Sequence, residues 1–263
     1  MLAAHAARST DGGSSIPPDP VESYTCNRRS FLDVMGIGLS SSLGARLKLS
    51  FEYFVAMESL LGTLHQIAAS ALNLSDLNFF EEYYSRISKT SGNALRFAHY
   101  PPSNETAEAT VDEHGEVRED SLSRYGAHTD YQGFTILLPD KDDWTTPDHG
   151  GLEIQLPETG RWIQANLSSH RVTRLSGEIL VVNSGDLIQR WTNDYWRSTV
   201  HRVAGSKPGS LPSKRSRRSI VFFSGPSDDA VVSNLPLDYL GKPKYAPIQS
   251  GEHLKMKIDR THV

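Results

Sequence analysis

The stretch Tyr125-Gly126-Ala127-His128-Thr129-Asp130 places a histidine and an aspartate two residues apart in a run that reads as a β-strand. Alternate side chains of a strand share a face, so the imidazole and the carboxylate project together from one element. Both are good ligands for a divalent transition metal. Two ligands make a weak site. The β-branched run Ser198-Thr199-Val200-His201-Arg202-Val203 also suits a strand and offers a third in His201. His201 lies far from Asp130 in sequence, so only a fold that pairs distant strands can unite them, and a jelly roll does so.

Outward from that stretch the texture is one of short strands between turns. Strands are expected at Leu95 to Tyr100 and at roughly 128–138, 151–156, 161–165, 178–183, 198–204 and 217–224. The breaks carry Asp-Lys-Asp-Asp, His-Gly-Gly, Glu-Thr-Gly, Ser-Gly-Asp and Lys-Pro-Gly. Residues 103–120 are polar and acidic and read as an exposed loop. Before the strands, Phe54, Met57, Leu61, Leu64, Ala68 and Leu72 recur three or four apart, which predicts a long amphipathic helix from Arg46 to Leu72. Ser75 reads as the N-cap of a second helix reaching Ser85, and Ser250 as the cap of a helix in the tail. Helices segregated from strands argue against alternating βαβ units. The expected fold is mainly β with flanking helices, a double-stranded β-helix (jelly roll) spanning 46–263. Residues 1–45, rich in Gly, Ser and Pro over 11–24, are expected to be a poorly structured, shortened N-terminal segment.

Composition narrows the setting. With 38% hydrophobic and 22% charged residues the chain is ordinary for a globular protein, and its net charge of −4 gives no sign of a nucleic-acid partner. Cys26 is the single cysteine, which excludes an intrachain disulfide and a thiolate zinc cluster and fits a cytoplasmic setting. No apolar run is long enough to cross a bilayer, so no membrane partner is expected, and Met1 to Thr10 lack the basic and apolar regions of a secretory signal. Nothing in the pattern speaks to oligomeric state.

Two histidines and a carboxylate, His128, Asp130 and His201, form the facial triad of non-haem iron(II) oxygenases, with positions left open on the metal. Ten histidines occur in the chain, so His-x-Asp alone is as readily structural as ligating. A second motif weighs toward the metal. Arg217-Arg218-Ser219-Ile220-Val221-Phe222-Phe223 reads as a strand in which Arg217 and Ser219 share a face, while Arg218 points outward. A guanidinium fork and a hydroxyl on one apolar face suit one end of a small dicarboxylate. The plainer reading makes Arg217 part of a solvated basic loop with Lys207, Lys214, Arg215 and Arg218.

His128-Thr129-Asp130, Gly185-Asp186-Leu187-Ile188-Gln189-Arg190-Trp191-Thr192-Asn193, Ser198 to Val203 and Arg217 to Phe223 follow one another in an order that resembles the 2-oxoglutarate- and Fe(II)-dependent oxygenases, in their isopenicillin N synthase-like branch. The resemblance runs over roughly residues 46–260. It implies Fe(II) on His128, Asp130 and His201, and 2-oxoglutarate with its distal carboxylate on Arg217 and Ser219, reached also by Tyr100. It implies Phe223, and more weakly Phe134, as walls of a pocket for a small-molecule substrate. It implies hydroxylation, desaturation or ring closure with O2, coupled to decarboxylation of 2-oxoglutarate to succinate, with ascorbate as a candidate reductant. Alternatives are a family oxidase that does not use 2-oxoglutarate, and a truncated inactive relative that binds a metal or a partner. The chain departs from the family at Ala98, where Asn is usual, in longer gaps near 140–148, 168–176 and 206–214, and in the short stretch before the long helix.

Overall fold

In the computed structural model the chain is described over residues 21–35, 42–84, 91–102, 123–140, 150–165, 179–205 and 216–261. It enters through strand β1 (Glu22–Asn27) and helix α1 (Arg28–Met35). This corrects the expectation of a poorly structured 1–45 over these residues; residues 1–20 lie outside those described. Glu22–Asn27 has no clean alternation and becomes a strand by pairing with the edge of β2 (Ala94–Tyr100), from Glu22↔His99 to Asn27↔Ala94. Asn27 then caps α1, its Oδ1 accepting from the Ser30 amide at 2.9 Å. Phe31 anchors the helix between Phe51 and Phe54, with ring centroids 5.6 Å apart in both pairs. The cap and the apolar Phe31 were readable signals.

Helix α2 (Ser42–Ala71) is the predicted amphipathic helix, begun four residues earlier than expected. Phe54, Met57, Leu61, Ala68 and Leu72 are buried. It ends in a Schellman turn. Asn73 takes a left-handed φ of 55°, its amide donates to Ser70 O at 3.0 Å, and the Leu74 amide donates to Ala69 O at 2.9 Å. The second helix expected from Ser75 to Ser85 is replaced by one 3₁₀ turn, Phe79–Tyr83, with Asn78 rather than Ser75 at its head. Its aromatics explain the change. Phe80 and Tyr83 both meet the Trp191 ring edge-on, at 5.3 and 5.1 Å, and a tight turn presents both while a regular helix of that length gains little.

The remaining strands are β3 (Ser123–His128), β4 (Phe134–Leu138), β5 (Gly151–Gln155), β6 (Trp162–Gln164) and β7 (Val181–Ser184). Helix α3 (Asp186–Trp191) intervenes before β8 (His201–Ala204) and β9 (Arg217–Phe223). The short strands β10 (Val231–Val232) and β11 (Ile248–Gln249) and helix α4 (Ser250–Thr261) close the fold. One sheet runs β1-β2-β9-β4-β7 and the other β3-β8-β5-β6, with every pairing antiparallel. The expected strand at 128–138 is two strands, because the turn 129–133 carries the chain from one sheet to the other. The expected loops at 103–120, 168–176 and 206–214 lie outside the described residues, as does 141–148 of the first gap.

Period-two alternation divides the larger sheet into two faces. Phe222 and Ile136 point to α2, where Phe222 meets Phe54 edge-on at 5.5 Å in a fully buried core. Arg217, Ser219, Val221 and Phe223 point the other way, into the space between the sheets. A buried polar joint locks α1 and α2 to that sheet. Arg28 pairs with Glu58, Asn93 Nδ2 donates to Glu58 Oε1 at 3.2 Å, and the Gly225 amide donates to Asn93 Oδ1 at 3.1 Å.

Candidate metal centre

His128 and His201 are direct partners in the β3–β8 ladder, so their rings stand side by side with centroids 4.2 Å apart. Asp130 lies two residues past the end of β3, not within it, and still turns toward them. Its Oδ1 is 3.9 Å from His128 Nε2 and 3.8 Å from His201 Nε2. Ligand atoms of the three residues fall within 4.8 Å of one another, the one such His/Cys/Asp/Glu group among the described residues.

The backbone defines the tautomers. His128 Nδ1 is 2.7 Å from Gly126 O, and His201 Nδ1 is 2.9 Å from Thr199 O. A carbonyl only accepts, so each Nδ1 carries the proton and each Nε2 offers its lone pair to the gap between them. Asn183 Nδ2 donates to Asp130 Oδ2 at 2.6 Å, leaving Oδ1 toward the imidazoles. Burial pushes the Asp130 carboxyl up. His201, His128 and hydrogen bonds from Asn183 and Thr135 outweigh that and hold it below the ordinary carboxylate range. Two imidazoles with Nε2 turned inward and a carboxylate, their donor atoms converging, fit a divalent iron.

The turn carrying Asp130 is held by the start of α3. The amides of Gly185, Asp186 and Leu187 donate to Gly133 O, Asp130 O and Gln132 O at 2.8, 2.8 and 2.9 Å. Gly185 is required by this approach, since a Cβ there would lie 2.6 Å from Gln132 O.

Arg217, Ser219 and Tyr100 gather on the wall of the larger sheet, all buried, with Tyr100 directly opposite Arg217 in the β2–β9 ladder. The Arg217 guanidinium lies 4.9 Å from the Tyr100 ring centroid. Burial pushes the Tyr100 phenol up, against the Arg217 charge and hydrogen bonds with Ser219 and Arg217, so it stays a neutral donor. Arg218 is exposed, as parity predicts. Ala98, standing where the family usually has Asn, faces Ser219 across the ladder.

Metal trio and anion group open on one cavity between the sheets. Leu137, Leu152, Ile154, Val181, Val203 and Val221 make its apolar wall. Phe223 lines it, whereas Phe134 does not. Phe134 alternates out of phase with Thr135 and Leu137 and packs in the core, 6.1 Å from the His65 ring, so its expected place on the pocket wall is corrected. Sequence pattern passed over Asn183, Thr135, Arg96, Val21 just before β1 and Ser23 within it, all cavity residues. Strand parity from Phe134 gives Thr135 once the buried face is known; Ser23 carries no signal until β1 is paired.

A jelly roll that gathers two histidines and an aspartate at the wall of an inter-sheet cavity defines a non-haem metal protein of the double-stranded β-helix class. The chain belongs to the 2OG-Fe(II) oxygenase superfamily, whose family model matches residues 91–226, more than half of the chain. It is 30% identical over 206 residues to the 2-oxoglutarate-Fe(II) type oxidoreductase hxnY of Emericella nidulans, covering 76% of this chain and 47% of that protein. It is 30% identical over 191 residues to the 2-oxoglutarate-dependent dioxygenase citB of Monascus ruber, covering 73% and 47%. The chain thus spans about half the length of these curated relatives. Among solved structures it is similar to a full-length Neurospora crassa protein in complex with alpha-KG and thymine, with a TM-score of 0.67 and 26% identity over 93% of this chain and 66% of that one.

Proposed function

We propose that this protein is an Fe(II)- and 2-oxoglutarate-dependent oxygenase that hydroxylates, desaturates or cyclises a small organic molecule, with 2-oxoglutarate decarboxylated to succinate. The convergence of His128 Nε2, His201 Nε2 and Asp130 Oδ1, in a cavity that also holds the Arg217–Ser219–Tyr100 group, carries the reading. Bound iron would supply O2 activation, which no side chain can provide. The residues do the rest. Gly126 O and Thr199 O orient the imidazoles, and Asn183 and Thr135 hydrogen-bond the Asp130 carboxylate. Arg217 grips the distal carboxylate of 2-oxoglutarate while Ser219 and Tyr100 add neutral donors. The aliphatic wall excludes water from the reacting carbon. A small-molecule substrate suits a mostly aliphatic cavity of this kind, and the Neurospora crassa protein solved with thymine is a relative with a small ligand. The cytoplasm is the setting we favour; the lone, buried Cys26 supports it, and no helix among the described residues is long and apolar enough to cross a membrane.

The test is O2 uptake and succinate release with Fe(II), ascorbate and 2-oxoglutarate across candidate substrates. His201→Ala is expected to abolish iron binding and turnover together; retention of both removes His201 from the site. O2 uptake without succinate would mark an oxidase independent of 2-oxoglutarate. Iron binding with no turnover of any substrate would mark an inactive relative.

A further inference from the structure

Arg96 is a second cation on the same wall. On the strand its Cα is about 13 Å from that of Tyr100, four residues along, at the other end of the cavity-facing row from Arg217. It pairs with Val221 in the β2–β9 ladder, and its guanidinium lies 5.1 Å from the Phe223 ring centroid. Phe223 pairs in turn with Thr135, which hydrogen-bonds Asp130. Arg96 therefore stands at the metal end of the wall and Arg217 at the far end.

Its surroundings hold the group without neutralising it. Nε donates to Thr25 Oγ1 at 3.1 Å, which ties it to β1, and the Phe223 ring covers one face. Stacking and the Nε bond leave the end-on pair of Nη groups, the edge that takes a carboxylate bidentately. Among the described residues Arg96 forms no ion pair with a carboxylate, and the one acidic residue lining the cavity is Asp130, already facing the histidines. On the proposed function, the charges of a divalent iron, Asp130, 2-oxoglutarate and Arg217 cancel, and the positive charge of Arg96 is left over. Arg96 is half-buried at the cavity, and its uncompensated guanidinium suits an anionic group on the ligand.

The geometry points to a primary substrate that is a monocarboxylate, its carboxylate gripped by the Nη edge of Arg96 and its oxidised carbon extending toward the metal. Arg96 is then the specificity-determining residue, and Thr25 a positioning residue that turns the fork into the cavity. This rests on the oxygenase reading, which supplies the other charges.

The experiment is saturation-transfer NMR on the full chain loaded with Zn(II) in place of Fe(II) and saturated with 2-oxoglutarate. The probes are benzoate, phenylacetate, 3-phenylpropionate, 4-phenylbutyrate and hexanoate, each beside its primary amide. At least one acid is expected to bind tighter than its amide by about 10- to 100-fold, the value of a charge-assisted pair. Arg96→Met should erase that preference, Arg96→Lys should keep part of it, and Thr25→Val should weaken the acid a few-fold. Amides binding as well as acids, an acid preference that survives Arg96→Met, or no acid binding at millimolar concentration would overturn the assignment. The 2-oxoglutarate affinity of the same samples separates the two readings. Arg96→Met must leave it unchanged, whereas an Arg217→Ala variant that keeps it defeats the oxygenase reading itself.

Discussion

Asn183→Ala removes one hydrogen bond to Asp130 and leaves all three metal ligands in place, which makes it the sharpest probe of the centre. Asn183 Nδ2 donates to Asp130 Oδ2 at 2.6 Å, and Asp130 is only 5% exposed, so water has little room to replace the lost donor. A hydrogen bond to a charged group contributes about 1.5–3 kcal/mol, and loss of such an outer partner lowers metal affinity about 10- to 100-fold. The pH dependence has a definite sign. The Asp130 carboxyl titrates below its ordinary value of 3.8 in the folded protein. Its contribution to stability is therefore present above that value and lost as pH falls through the lower folded value. Without Asn183 the folded value rises, protons compete with the metal sooner, and the acid limb of metal binding moves to higher pH. Competition titrations of Zn(II) or Fe(II) from neutral pH down to about 3 measure both effects. Affinity within twofold of wild type, with an unmoved acid limb, would refute the claim that the Asn183 hydrogen bond supports the Asp130 carboxylate.

Arg217→Ala should raise the 2-oxoglutarate requirement far more than Arg218→Ala in initial-rate assays, because Arg217 is buried beside Tyr100 and Arg218 is exposed; equal effects would mean the cavity faces the other side of β9. Phe222→Ala should cost about 3–5 kcal/mol in urea unfolding, through a cavity against Phe54, while metal affinity at His128, Asp130 and His201 is kept. Phe134→Leu should lower stability and leave ligand affinities alone, whereas Phe223→Leu should change substrate affinity and barely move the unfolding midpoint; the reverse pattern would return Phe134 to the pocket.

Period and motif order carried much of this protein. The stripe Phe54 to Leu72 specifies α2 because each of its members must leave water on one side of a helix, whatever it packs against. Alternation in Arg217–Phe223 likewise sorts Arg217 and Ser219 from Arg218 before any partner strand is known. Local pattern misled where the deciding interaction was distant. Ser75 looked like a cap, but Phe80 and Tyr83 answer to Trp191, more than a hundred residues away. Glu22–Asn27 carries no pattern because an edge strand needs only a backbone to pair with, and β2 provides it.

The sequence alone singled out His128, Asp130, His201, Arg217 and Ser219 as candidates, since ligand type and strand parity are properties of a few adjacent residues. Tertiary structure decided what surrounds them: that His128 and His201 are ladder partners, that Asn183 holds Asp130, that Phe134 turns to the core, and that Arg96 shares the cavity with Arg217. Each of these is a contact between segments separated by tens of residues. Its existence depends on sheet register, which a single chain of letters does not encode locally.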